Sequence, residues 1–117
     1  MNYVHRYFLM NEIIEKKIFN LLGLAQRAGK IISGELPVEK AIRSRKIKLI
    51  IIAEDASAGT KKKFCDMAQF YHINICYLLT KQSLGCCIGK DYRAILALND
   101  AGFVNQLINL TNKNDKQ

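Results

Sequence analysis

An apolar run from Leu49 to Ala53 leads directly into Glu54 and Asp55. Acidic residues at the end of a central strand can hold a magnesium ion or act as acid and base. Such a site needs further acidic or nucleophilic partners on neighbouring strand ends, and the later apolar runs finish in Leu79, Thr80, Leu98 and Asn99. Ser33, Ser57 and Ser83 have no histidine near them in sequence, and the chain has neither a G-x-S-x-G nor a phosphate-binding P-loop. Cys65, Cys76, Cys86 and Cys87 form no C-x-x-C, and the only histidines are His5 and His72, a spacing that makes no zinc site. Cys65 and Cys76 fall among apolar neighbours and are expected to be small buried hydrophobes. No cofactor or metal is expected. A small enzymatic or protein-interaction α/β domain using Glu54 and Asp55 is the alternative, and a noncatalytic binder is preferred.

The basic residues say what would be bound. Lys plus Arg number 18 against 10 Asp plus Glu, a net charge of +8, so the natural partner is a polyanion. The excess is concentrated: residues 27–48 hold Arg27, Lys30, Lys40, Arg43, Arg45, Lys46 and Lys48 against only Glu35 and Glu39. Within this stretch Gly34 precedes a helix in which Pro37 occupies the first turn, where a missing N–H is tolerated. A helix start offers unpaired N–H groups and a partial positive charge to a phosphate. Lys40 and Arg43, three positions apart, share one face of that helix. Lys61, Lys62 and Lys63 are placed in the first turn of a later helix, where cations oppose the helix dipole. They are either solvated or part of an anion-binding surface.

These residues need a scaffold. The 117 residues suffice for one domain. No apolar stretch reaches the roughly 18 residues of a membrane span, and no secretory signal opens the chain, so a cytoplasmic, membrane-free protein is expected. Residues 1–10 are expected to be a flexible extension, 11–110 the domain, and 111–117 a frayed tail. Helical spacing of Ile14, Ile18, Leu21, Leu22, Ala25 and Ala28, stopped by Gly29, predicts the first helix. A short strand over Lys30–Ser33 and a helix reaching about Ser44 follow. Leu49–Ala53 is the central strand. Then come a helix with Phe64, Ala68 and Tyr71 inside, a strand over Ile73–Leu79, a short helix over Lys81–Cys87 and a last strand over Ala94–Leu98. Asp100 is expected to cap a final helix with Phe103, Val104, Leu107 and Ile108 on its apolar face. Strands alternating with helices imply a three-layer α/β/α sandwich.

Three stretches, GELPVEKAI from Gly34 to Ile42, LIIIAEDA from Leu49 to Ala56 and LGCCIG from Leu84 to Gly89, stand in an order and spacing that resembles a known family. It is the ribosomal-protein superfamily named for L-seven-Ae and L-thirty-e, and the likeness is closest to its bacterial YlxQ-type branch, over about Asn11 to Leu110. The resemblance implies a four-stranded mixed sheet and binding of structured, kink-turn-like RNA, on the ribosome or elsewhere in translation, by a monomer. RNA contacts are then expected from Lys30, Ser33, Gly34, Glu35, Leu36, Pro37, Lys40 and Arg43, from Glu54, and from the loop bearing Ile88, Gly89, Lys90 and Tyr92. Lys90 would meet phosphate; Ile88 and Tyr92 would touch an unstacked base, although Tyr92 could equally pack on the protein. The chain departs from the family pattern at Leu36 and Pro37, which stand where kink-turn binders place Asn and Glu. Neither offers a side-chain hydrogen bond, so phosphate anchoring survives while base readout is in question.

Overall fold

The spaced apolar residues Ile14, Ile18, Leu21, Leu22 and Ala25 form the buried stripe of helix α1 (Asn2–Arg27). The computed structural model describes the backbone of residues 2–115 and the side chains of residues 12–112. The backbone of residues 2–10, within the expected flexible extension, is helical, and so is that of residues 111–115 in the expected frayed tail. Gly29, at φ 73°, ends the helix as expected, with Lys30 N donating to the Ala25 carbonyl.

Strand β1 (Ile31–Ser33) and helix α2 (Glu35–Arg43) follow, then β2 (Leu49–Ile52), α3 (Ala58–Tyr71), β3 (Asn74–Tyr77), α4 (Lys81–Cys87), β4 (Ile95–Leu98) and α5 (Ala101–Asp115). The sheet order is β1-β4-β2-β3. β4 is antiparallel to both β1 and β2, while β2 and β3 are parallel, so β4 alone runs against the other three. Every residue of β2 and β4 is buried, which is why these runs read as continuously apolar. α1 packs with α4 and α5, and α2 packs with α3, completing the sandwich. Phe64, Leu22, Ile42, Leu84 and Leu107 are fully buried between the layers. Each such side chain contributes about 1.5–3 kcal/mol through removal from water.

Two further expectations are corrected. β3 stops at Tyr77 rather than Leu79, because Leu79 turns into the left-handed region at φ 61° and gives its carbonyl to Glu54 N. α3 begins at Ala58, capped by Ser57 Oγ accepting from Thr60 N at 3.1 Å. Lys62 and Lys63 therefore lie in the second turn and Lys61 at the end of the first, clear of the strongest opposing dipole. Each also has an oxygen partner: Lys61 Nζ reaches the Glu54 carbonyl at 2.7 Å, Lys62 pairs with Asp66 and Lys63 with Glu39.

Candidate nucleic-acid interface

Because β1, β2 and β3 run the same way, helices α2, α3 and α4 all begin at one end of the sheet. The reversed β4 brings its leading segment to that same end. Gly34 N donates to the Ile95 carbonyl at 3.2 Å and Ala53 N to the Ala94 carbonyl at 2.9 Å, so the root of the 88–93 loop is held between β1 and β2. The two sequence stretches singled out for RNA, far apart in the chain, are thus neighbours.

The helix starts differ in one respect. Ser57 caps α3, Thr80 caps α4 with its Oγ1 3.1 Å from Ser83 N, and Asp100 caps α5 with Oδ2 3.0 Å from Phe103 N. α2 starts at Gly34 with no side-chain cap. Its first-turn N–H groups on Glu35 and Leu36 remain open to an incoming oxygen, and Pro37 has none to satisfy. Gly34 lies at φ 95°, ψ 153°, a region essentially reserved for glycine, and the Pro37 ring closes over it. Leu36 is 73% exposed at this tip, an apolar contact surface where hydrogen-bonding side chains would read bases. Lys40 is exposed, and among the described residues no carboxylate pairs with it.

Other predicted residues are engaged elsewhere. Glu35 Oε2 accepts from Thr60 Oγ1 at 3.0 Å, a strut between α2 and α3. Arg43 is drawn to Glu39 at 2.6 Å, and Glu39 also holds Lys63 at 2.7 Å. Hydrogen bonds from Arg43 and then Lys63 hold the Glu39 carboxyl below its usual range. Arg43 therefore does not stand free beside Lys40. Asp55 Oδ1 accepts from Lys81 N at 2.8 Å and ties the end of β2 to α4. Glu54 is exposed and meets Lys61 through its backbone carbonyl, not its carboxylate.

In the second loop Lys90 and Tyr92 are exposed, Tyr92 by 62%, so packing of its ring on the protein is not its role. Ile88 is only 6% exposed and belongs to the core; it supports the loop from beneath, and contact with a splayed base is closed to it. Gly89 turns the chain at φ 77°. Lys30 is displaced from the site altogether: it precedes β1, whereas Ser33 ends the strand and Gly34 follows it, so Lys30 lies at the opposite end of the sheet.

Sequence reasoning missed Arg93. Its Nη1 donates to the Tyr92 carbonyl at 2.7 Å and its Nε makes a long 3.5 Å bond to Ser33 Oγ, joining the two loops. A lone arginine before the last strand carried no spacing signal that could have revealed this.

Fold and site together define a small α/β sandwich protein with an uncapped helix start and a basic, aromatic loop side by side. The chain belongs to the Ribosomal protein L7Ae/L30e/S12e/Gadd45 family, matched over residues 16–108. It is 45% identical to the RNA-binding protein YlxQ of Bacillus subtilis (strain 168) over 92 residues, 79% of this chain and 92% of that one. A second RNA-binding protein YlxQ, from Enterococcus faecium, is 39% identical over 97 residues, 83% of this chain and 93% of that protein. Among solved structures, a Bacillus halodurans C protein of unknown function shares 38% identity at a TM-score of 0.78, covering 82% of this chain and 97% of that one. The Giardia lamblia 15.5kD RNA binding protein, at 16% identity and TM-score 0.69 over 88% of each chain, shares the fold. Family membership makes this a noncatalytic protein, and the carboxylates that suggested catalysis are structural or solvated. No described helix is long and apolar enough to cross a membrane.

Proposed function

We propose that this chain is a cytoplasmic, monomeric RNA-binding protein associated with translation, which grips structured, kink-turn-like RNA at the sheet end where α2 begins. The observation that carries the reading is the uncapped start of α2, its open N–H groups lying beside an exposed Lys90–Tyr92 loop. Those N–H groups and Lys40 would take phosphate, Leu36 and Tyr92 would cover unstacked bases, and Ser33 and Arg93 would keep the loops in register. The relatives named as RNA-binding proteins support the partner class. Substituting Lys40→Ala and Lys90→Ala together tests it. Affinity for a kink-turn RNA should fall, and its dependence on salt should flatten by roughly 0.7 in log–log slope per lost single-strand phosphate contact. An unchanged slope in a folded double variant would move the RNA surface elsewhere.

A further inference from the structure

The far end of the sheet carries a second concentration of positive charge. Ile31, Leu98, Leu49 and Asn74 form one row across the strands, and the residues just outside it include Lys30 and Lys48. Lys48 N donates to the Leu98 carbonyl and the Lys30 carbonyl accepts from Asn99 N, so the two lysines flank the end of β4. With strands spaced about 4.8 Å, their backbones stand about 10 Å apart. Arg27 closes α1 beside them, and Arg45 and Lys46 lead from α2 towards β2. All five cations are exposed, and among the described residues none pairs with a carboxylate. Asp100, which follows β4 at this end, is engaged by the Phe103 N–H.

Compensation of helix dipoles explains a cation in the last turn of a helix, hence Arg27. It does not explain Lys30, Lys46 and Lys48, which lie outside helices. Arg45 is more telling. Arg45 N bonds the Ile42 carbonyl at 2.9 Å and Lys46 N the Ala41 carbonyl at 3.0 Å, the paired bonds of a helix stop whose left-handed residue is usually glycine. Arg45 holds that position at φ 59°, against the preference of any residue with a side chain. Its guanidinium lies 5.2 Å from the centre of the Tyr71 ring, and Tyr71 meets Phe70 edge to face at 4.9 Å. Phe70 itself is 73% exposed, an open aromatic face linked to Arg45 through the Tyr71 ring.

We infer that this far end is a second RNA surface, separate from the loop-borne site, which binds a single-stranded segment by phosphate contacts to Arg45, Lys46 and Lys48 and by stacking of a base on Phe70. Cations tracking the backbone with an aromatic platform alongside are what sequence-tolerant single-strand binding requires. An acidic protein would use the cations and leave the exposed ring unexplained. The two surfaces are separated by the strands, about 10–13 Å of sheet, so one RNA can engage both.

The test uses the full chain and two probes, an oligouridine strand and a kink-turn hairpin. The far-end variant Arg45→Gly with Lys46→Ala and Lys48→Ala should lose oligouridine affinity and flatten its salt dependence by roughly 2 in log–log slope. It should bind the hairpin like wild type. Phe70→Ala alone should weaken oligouridine binding by roughly 5- to 150-fold, the effect of one lost stack. The loop variant Lys40→Ala with Lys90→Ala should retain oligouridine binding, so failure of the loop reading and failure of this one give different patterns. Arg45→Gly alone should melt no lower than wild type while binding oligouridine less tightly; a lower melting temperature with undiminished affinity would make Arg45 a structural residue and overturn its role. Undiminished oligouridine binding by the triple variant would refute the surface. So would a wild type in which polyglutamate, but not oligouridine, protects these lysines from acetylation, a result that assigns the patch to an acidic protein.

Discussion

Gly85 offers the sharpest link between packing and binding. It is buried in α4, and a Cβ added there would stand 2.7 Å from the carbonyl carbon and oxygen of Asp91 and 2.8 Å from Tyr92 N. Ordinary contact begins at 3.4 Å, so the 91–92 backbone would have to retreat by about 0.7 Å in Gly85→Ala. Backbone cannot swing away as a side-chain tip does. The retreat would also strain the bonds that Ile88 N and Lys90 N give to the Gly85 carbonyl at 3.1 and 2.8 Å. Overpacking of this kind costs typically 1–3 kcal/mol. At about 2 kcal/mol the melting temperature should drop by roughly 6–12 °C in a domain of this size. Because Lys90 and Tyr92 move with the loop, RNA affinity should fall roughly tenfold, equivalent to about 1.4 kcal/mol. Gly89→Ala is the control: nothing lies within 4 Å of its added Cβ, and only the strain of φ 77° remains, about 1–2 kcal/mol. Thermal melts and RNA titrations of both variants decide the matter. A Gly85→Ala protein that melts and binds like wild type would refute the coupling, as would a Gly89→Ala protein that is the more severely damaged of the two.

Leu36→Asn with Pro37→Glu should raise the preference for an intact kink-turn over one whose non-Watson–Crick pairs are replaced, by about 1–3 kcal/mol for each base that the new side chains hold through two hydrogen bonds. Paired titrations at one salt concentration measure it, and a wild type that already discriminates as strongly would contradict it. Glu39→Gln should release Arg43 and Lys63 and so tighten RNA binding with a steeper salt dependence; looser binding would show that the bridge shapes the surface rather than masking it. Burial pushes the Cys76 thiol up to about 12 and Cys87 up to about 11, from a usual 9.0. The unfolded chain ionises first, so the thiols' contribution to stability should be intact below about pH 9 and decline as pH rises towards 12. Urea midpoints of wild type and Cys76→Ala should converge over that range, and parallel curves would disprove the assignment.

Much of the fold could be read from local pattern. Leu49–Ile52 and Ile95–Leu98 are buried on both faces, which leaves an unmistakable continuous apolar run. Gly29 and Asp100 mark helix ends by chemistry that acts within a few residues. The sequence was less informative wherever a residue's role depends on a distant partner. Ile88 resembles a loop tip in the chain and proves to be core, because α4 turns it inward. Lys30 seems close to Gly34 until a strand separates them. Glu35, Arg43 and Asp55 were candidate ligands for RNA or metal, yet their oxygens and nitrogens are used by Thr60, Glu39 and Lys81. Arg93 owes its importance to Ser33, 60 positions away, and no periodicity encodes such a pair.

The reversal of β4 has a mechanical consequence. A loop that enters a central strand hydrogen-bonded on both sides cannot hinge at its root without opening the sheet, so the root of the 88–93 loop is held in place. On the RNA-binding reading, adjustment at that root then falls to the nucleic acid. Its folding free energy, rather than any hinging of the root, would rank the targets: an RNA already bent to the required shape binds at the intrinsic affinity, and one that must be bent is weakened by the full cost of its own deformation.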